Sequence, residues 1–261
     1  MKPWSELLRR PFEASPVLVR TAALHAALAV VALGLMTFDE RTVLGVDPWL
    51  KPFKFMASIA MYLWSLAWFV SEIAERGRVE RLVAWTASIT MVVETACLWL
   101  QSARGTTSHF NTENAFDGAI FGTMGVMILI NSLAAIALFV LLFVRRIDRP
   151  AAVRWGLRVG LGVFLLGSGL GMPMISRMSH SVGGADGGPG LPLLNWSTAH
   201  GDLRAAHALG LHGLQLFPVL GYLLTAWRRS AWWLVACFCG WGALLAFVLG
   251  RALDGQPLVR L

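Results

Sequence analysis

The sequence predicts an all-α, polytopic membrane protein with seven transmembrane helices. Hydrophobic residues make up 56% of its 261 residues, charged residues only 14%, and the mean hydropathy is +0.62. A water-soluble domain of this length needs a more highly charged surface. Seven apolar stretches reach the length of about 20 residues that crosses a hydrocarbon core. The predicted spans are residues 20–37, 53–72, 82–101, 118–144, 155–176, 205–226 and 231–250.

No stretch remains that is long enough to form a separate soluble domain. We therefore expect residues 1–261 to form a single transmembrane helix-bundle domain. Residues 1–17 are expected to lie along the cytoplasmic membrane surface, before the first span. Residues 177–204 form a long Gly- and Pro-rich link, and loops of that length are often functional.

The net charge of +7 follows the positive-inside rule, so it does not indicate a nucleic-acid partner. The first segment and the links after the second, fourth and sixth spans carry fourteen of the 22 Lys and Arg residues. This distribution predicts a cytoplasmic N-terminus. Because the number of spans is odd, the C-terminus is then outside. We expect a multi-pass protein of the bacterial inner membrane, with the lipid bilayer as its surroundings.

The polar side chains inside predicted spans include Glu94, Asn131 and His25. An ionisable group such as Glu94 costs about 2.5–3.5 kcal/mol at this depth and usually faces a cavity or a partner. A hydrogen-bonded, protonated structural role and a functional role are both open for it. Asn131 is expected to make an interhelical hydrogen bond, and His25 is expected to be a core residue.

Glycines are dense in the fifth span and indicate close helix packing. Their four-residue spacing lets helix backbones approach each other. The pairs are Gly156/Gly160 and Gly167/Gly171.

The start of the sixth span carries more polar side chains than packing requires. Asp202 is a natural N-cap residue. His207 and His212 are five residues apart, which separates them by about 140° around a helix. They could therefore line one cavity from two sides, but they cannot form a two-ligand clamp like that of HExxH. Arg204 and Gln215 lie close to the face between them. A functional site and a buried structural network are the two interpretations.

The links expected outside supply further candidates. Arg104 and His109 lie in the tract QSARGTTSHFN, and Asp117 is expected to start the fourth span. Lys51 and Lys54 lie at the start of the second span, where they would either reach lipid headgroups, or bind an acidic ligand group or pair with Asp117 or Asp202. His180 follows three methionines, a combination that can bind Cu(I).

Together these residues predict one site near the outer face. The expected catalytic groups, acting as acids, bases or proton carriers, are Glu94, Asp117 and Asp202. The groups expected to hold an anionic substrate, a lipid headgroup or haem propionates are Lys54, Arg104, Arg204 and Gln215. The expected ligands of a metal ion or a haem are His109, His180, His207 and His212.

Three tracts resemble those of a family of bacterial multi-pass inner-membrane proteins to which no activity is assigned. They are KPFKFMAS, QSARGTTSHFN with FDGAIFGTMG, and HSVGGADGGPGLPLLNWS followed by GDLRAAHALGLHGLQ. The resemblance covers residues 47–225 and implies no activity. In topology alone, the chain is similar to the ceramidase and adiponectin-receptor zinc hydrolases. Those use His-x-x-x-His, whereas His207 and His212 are one residue too far apart.

Three functional hypotheses follow. The first is a membrane enzyme that depends on Zn, Fe or Cu, or on a b-type haem, and acts on a small or lipidic, anionic substrate. The second is a proton-coupled or anion transporter or channel. The third is a sensor or an assembly factor that binds partners through its outer links.

Overall fold

The computed structural model describes residues 4–260, with side chains from residue 9 onward. Seven of its helical segments are long and apolar enough to cross a membrane, which confirms the helical fold class and indicates a multi-pass membrane protein. The helices are α1 (Trp4–Ala14), α2 (Pro16–Leu35), α3 (Leu50–Glu72), α4 (Arg78–Ala103), α5 (Ala115–Val144), α6 (Ala151–Gly169), α7 (Met172–Arg177), α8 (Leu203–Ala226) and α9 (Trp232–Leu253).

The first six spanning segments begin two to four residues before the predicted spans; α2, for example, begins at Pro16 rather than at residue 20. The apolar pattern marks only the part of a helix that suits hydrocarbon. The backbone hydrogen bonds of the helix extend into the polar turn that precedes the apolar stretch, because these bonds do not depend on hydropathy.

The chain divides into two compact units, residues 1–148 and 149–261. The first contains α1–α5. The second contains α6–α9 and two short antiparallel strands, β1 (Ser181–Val182) and β2 (Gly201–Asp202). Each unit has its own buried core, and the prediction of a single domain stays a prediction.

In the first unit, α2 packs on α3 and α4 packs on α5. The largest fully buried side chains include Phe69, Leu66 and Leu138. Helix α1 is fixed to the C-terminal turn of α3, because Arg10 donates to Glu72 Oε1 (3.3 Å) and to the Ser71 carbonyl (3.2 Å).

The two ends of the first unit differ in composition. The arginine end contains links 73–77 and 145–148, which are joined by a hydrogen bond from Ala74 N to the Arg146 carbonyl (2.9 Å). The histidine end contains links 36–49 and 104–114. There, Arg41 Nη1 donates to the Ala103 carbonyl at 2.9 Å.

In the second unit, α6 and α8 meet along a row of small residues. The glycines of this contact are Gly156, Gly160 and Gly167 on α6, and Gly210, Gly213 and Gly221 on α8. A Cβ at Gly167 would lie about 2.7 Å from the Cα of Gly210, closer than real Cβ atoms come. A Cβ at Gly160 would lie 2.8 Å from Pro218 Cδ. The predicted close packing of the fifth span is thus confirmed.

Replacement of Gly167 by Ala should destabilise the second unit, because the added Cβ overlaps the facing backbone of Gly210. Overpacking of this kind costs about 1–3 kcal/mol. Gly169, two residues along the same helix, has nothing within 4 Å of a Cβ, so Gly169→Ala is the matched control. Thermal unfolding of the protein in detergent should show a lower midpoint for Gly167→Ala and an unchanged or higher one for Gly169→Ala. Equal midpoints would contradict this packing.

Candidate functional site

Five carboxylates are buried among the described residues, and four of them are paired with an arginine. Two of these pairs lie at the arginine end of the first unit: Arg10 with Glu72 at 3.3 Å, and Arg145 Nε with Glu80 Oε1 at 2.9 Å. The other two pairs are Arg104 with Asp117, and Arg204 with Asp202 at 2.6 Å. Burial of these charges is therefore compensated at each of the four positions.

Glu94 is the exception. Its residue is only 4% exposed, and its Oε1 has no hydrogen-bond partner among the described residues. It lies in α4, one of the seven segments that are long and apolar enough to cross a membrane. A buried polar atom without a partner costs free energy and usually marks a functional group or an absent ligand. This makes Glu94 the centre of the candidate site.

Lys51 of α3 links Glu94 to the histidine end. Its ammonium group interacts electrostatically with Glu94. Its Nζ lies 3.2 Å from His109 Nδ1, and Ser108 Oγ lies 3.0 Å from the same nitrogen. An ammonium group can only donate, so the His109 Nδ1 atom accepts and the ring is neutral.

Aromatic rings surround His109. The ring centroids of Phe55, Phe110 and Phe121 lie 5.6, 6.1 and 6.3 Å from that of His109. Burial, together with the positive charge of Lys51, lowers the pKa of His109 well below its usual value. The imidazole is thus held as an uncharged hydrogen-bond acceptor beside a cation.

A second polar cluster lies one helical turn from Glu94. Tyr62 of α3 donates from its hydroxyl to Asn131 Oδ1 of α5 at 3.0 Å, and Thr90 Oγ1 of α4 lies 3.4 Å from the same oxygen. The interhelical hydrogen bond predicted for Asn131 is confirmed. Seven of the thirteen buried residues of α4 are polar, so polar groups follow the buried face of this helix.

Arg104 and Asp117 belong to a fixed network. Gln101 Nε2 donates to Asp117 Oδ1 at 2.8 Å, and Asn114 Nδ2 donates to Oδ2 at 2.7 Å. Arg104 donates to both Asp117 and Gln101. This network joins the end of α4 to the start of α5. Lys54, the other lysine near this end, is half-buried on α3.

His25 has the contacts of a core residue. It is fully buried, and its Nδ1 donates to the Thr21 carbonyl at 2.7 Å. Its Nε2 lies 2.8 Å from Thr95 Oγ1. Both ring nitrogens are thus satisfied, in agreement with the structural role expected from the sequence.

In the second unit, Asp202 organises the start of α8. It caps the helix by accepting from Arg204 N at 3.0 Å, as predicted, and it also accepts from Ser197 N at 2.8 Å. His180 Nδ1 lies 3.2 Å from Asp186 and 4.0 Å from Asp202. The structure therefore brings His180, Asp202 and Arg204 together at the end of the long link 178–202.

The other candidates of the second unit lie along α8. His207 is half-buried and its Nδ1 donates to the Gly167 carbonyl at 2.8 Å. His212 is exposed on the surface of this unit, and Gln215 is half-buried. Of the eleven predicted site residues, five lie in the first unit and six in the second.

Comparisons with protein-family models, with curated proteins and with solved structures gave no match to this chain. Within the described residues, no three His, Cys, Asp or Glu side chains are grouped so that they could hold a metal ion. The metal-or-haem hypothesis therefore stays a prediction.

Sequence reasoning missed Tyr62 and Thr90, and it placed Lys54 rather than Lys51 among the anion-binding groups of the site. Lys51 and Lys54 are three residues apart, and nothing in the pattern shows which one reaches His109. Hydroxyl groups within apolar spans carry no distinctive signal of their own. Only the rotation of α3 and α4 shows that these side chains adjoin Glu94 and Asn131.

The low pKa of folded His109 predicts a pH-dependent stability. In the unfolded chain a histidine titrates near about 6.5, whereas the folded ring stays neutral to lower pH. The stabilisation is complete above the unfolded pKa and is lost as the pH falls from there through the folded pKa. Wild-type protein should thus lose more stability than His109→Gln when unfolding is measured from pH 7.5 to pH 5. Parallel curves for the two proteins would contradict the buried, neutral ring.

Proposed function

We propose that this protein translocates protons across a membrane, and that Glu94 is the group that binds and releases them. The observation that carries the proposal is the contrast among the buried carboxylates. Glu72, Glu80, Asp117 and Asp202 have arginine partners, whereas Glu94 has no arginine partner and its Oε1 has no hydrogen-bond partner among the described residues.

Two opposing influences allow Glu94 to exist in either protonation state. Burial disfavours a charged carboxylate, whereas the ammonium group of Lys51 stabilises one. An arginine pair such as Arg145–Glu80 instead favours one state, the ion pair. A proton carrier must be able to adopt both the protonated and the ionised state. Ionisable residues inside membrane spans often serve as proton carriers.

The contacts of Lys51 offer a connection between Glu94 and water. Lys51 interacts with Glu94 on one side and with His109, in link 104–114, on the other. Lys51 can give a proton to the Glu94 carboxylate, and its neutral amine can then take up a new proton from the histidine end through His109, whose Nδ1 accepts a hydrogen bond from it. In this proposal the pair delivers protons to Glu94 from the histidine end.

The cluster of Tyr62, Thr90 and Asn131 would continue the path beyond Glu94. Thr90 precedes Glu94 by four residues, which is about 6 Å along the helix axis. Ser88, farther toward the arginine end, is buried and its Oγ has no partner among the described residues. Hydroxyl groups and waters bound to them are suited to pass protons along a buried helix face.

The direction of transport forms part of the same proposal. The positive-inside rule favours a cytoplasmic arginine end, so the histidine end would face the outside of a bacterial inner membrane. Glu94 would then take up protons from outside and release them toward the cytoplasm.

Replacement of Glu94 by Gln should abolish proton movement, because the amide keeps the shape of the side chain but cannot release a proton at neutral pH. The purified protein is incorporated into potassium-loaded liposomes, and proton uptake after addition of valinomycin is followed with an internal pH-sensitive dye. Wild-type vesicles should acidify faster than protein-free vesicles, and Glu94→Gln vesicles should not.

The matched control is Glu113→Gln, which removes an exposed carboxylate from link 104–114 and should keep the wild-type rate. Two results would overturn the proposal: wild-type vesicles that acidify no faster than protein-free ones, or Glu94→Gln vesicles that keep the wild-type rate.

A cofactor-binding function is the second candidate, and the contact of His207 favours it. Because the Gly167 carbonyl can only accept, Nδ1 carries the hydrogen and Nε2 keeps its lone pair. Histidine ligands of metals commonly donate their other ring N–H to a carbonyl in this way. His207 would thus be the ligand that the second unit offers to a metal ion or a b-type haem.

This candidate is tested by the absorption spectrum and metal content of the purified protein. A bound haem or metal should be lost in His207→Gln, because the amide can still donate to Gly167 but is a poor ligand. His200→Gln, in the link before β2, should retain it. A wild-type protein without a Soret band and without stoichiometric Zn, Fe or Cu would exclude this function, whatever the proton measurements show.

A further inference from the structure

A cavity of about 390 Å³ lies at the arginine end of the first unit. The starts of α2 and α4, the C-terminal part of α3 and the link 73–77 form its walls. Its volume falls within the range of sites that bind small molecules, about 300–1,000 Å³. It is lined by residues far from Glu94 along the chain's helices, and the proposed proton path does not use it.

Three arginines line the cavity: Arg20, Arg76 and Arg81. None of them forms an ion pair with another described residue. The acid that also lines the cavity, Glu80, is already engaged by Arg145 (2.9 Å) and by the backbone N–H of Gly77 (2.7 Å). The cavity therefore has an excess of positive charge.

Ser15 gives the cavity a hydrogen-bonding group without a partner. This residue is 4% exposed, it lines the cavity, and its Oγ has no hydrogen-bond partner among the described residues. It occupies the N-cap position of α2, yet its side chain does not cap the helix. The first turn of α2 adds the positive end of the helix dipole to the same space.

Apart from Thr21, the remaining lining is apolar and includes Val17, Val70, Ala84 and Trp85. A site that combines several cations, a buried hydroxyl and an apolar wall suits an anion that is attached to an apolar group. Phosphate is recognised through this combination of arginine and helix N-terminus.

We propose that this cavity binds the phosphate group of a phosphate ester, with Arg20, Arg81 and Ser15 as its donors and the apolar wall against the rest of the molecule. The ester is either the headgroup of an anionic phospholipid or a soluble phosphate compound. This inference is independent of proton transport, because none of these residues contacts Glu94, Lys51 or His109.

Binding can be measured on the full-length protein, purified in a neutral detergent and freed of lipid. The probes are dioleoylphosphatidylglycerol and inorganic phosphate, with dioleoylphosphatidylcholine as the zwitterionic comparison. Native mass spectrometry counts bound lipid, and the rise in the thermal unfolding midpoint gives the affinity of each probe. We expect phosphatidylglycerol to bind more tightly than phosphatidylcholine if the source is lipid, and inorganic phosphate to bind if it is soluble.

The double variant Arg20→Gln/Arg81→Gln should weaken binding of the active probe by at least about tenfold, the effect of losing a charge-assisted hydrogen bond. Arg78→Gln is the matched control: Arg78 is an exposed arginine of the same helix start that does not line the cavity. It should bind as the wild type does.

Ser15→Ala separates a binding role from a structural one. It should weaken binding but leave the unfolding midpoint without ligand unchanged or higher, because the hydroxyl it removes is buried and unsatisfied. The proposal is overturned if neither probe binds, or if Arg20→Gln/Arg81→Gln binds as tightly as Arg78→Gln.

Discussion

The pairing of buried carboxylates with arginines is the interaction on which the arrangement of the helix ends depends. Hydrocarbon offers no water to an ionised group, so each buried charge needs a partner within the protein. Arg10 with Glu72 fixes α1 to α3, and Arg145 with Glu80 fixes the end of α5 to the start of α4. Against this regular pairing, the unpartnered Glu94 identifies the candidate site.

The arginines of the first unit therefore have more than one role. Membrane topology alone would account for a positive arginine end. Arg145 forms a structural ion pair with Glu80, whereas Arg20 and Arg81 line a cavity in which that carboxylate is already engaged. An arginine that only sets the membrane topology needs to be exposed to water and does not need to line a cavity. Their placement around Ser15 is what indicates a ligand.

The packing of α6 against α8 in the second unit depends on close contact between their backbones rather than on ion pairs. Facing glycines such as Gly167 and Gly210 bring the backbones of α6 and α8 into contact, and Pro218 fits against Gly160. In a membrane, where the hydrophobic effect does not drive helices together, such contact is a main source of association. It also places the Gly167 carbonyl where His207 can donate to it. The packing of α6 against α8 thus determines that Nδ1 of His207 carries the hydrogen and that Nε2 keeps its lone pair.

The sequence by itself determined the seven spans, the cap by Asp202 and the close packing of the glycine-rich helix, because hydropathy, capping and small-residue spacing are properties of one segment. It could not determine which polar groups are satisfied. Arg104 and Asp117 were predicted as site residues and form a fixed network, whereas Lys51, which was not placed among the predicted site residues, lies 3.2 Å from His109 Nδ1. Which side chains become partners depends on how helices that are distant in sequence are rotated about their axes. Arg10 and Glu72, for example, are separated by 62 residues. Only the tertiary structure sets that rotation, and with it which buried carboxylate is left without an arginine partner.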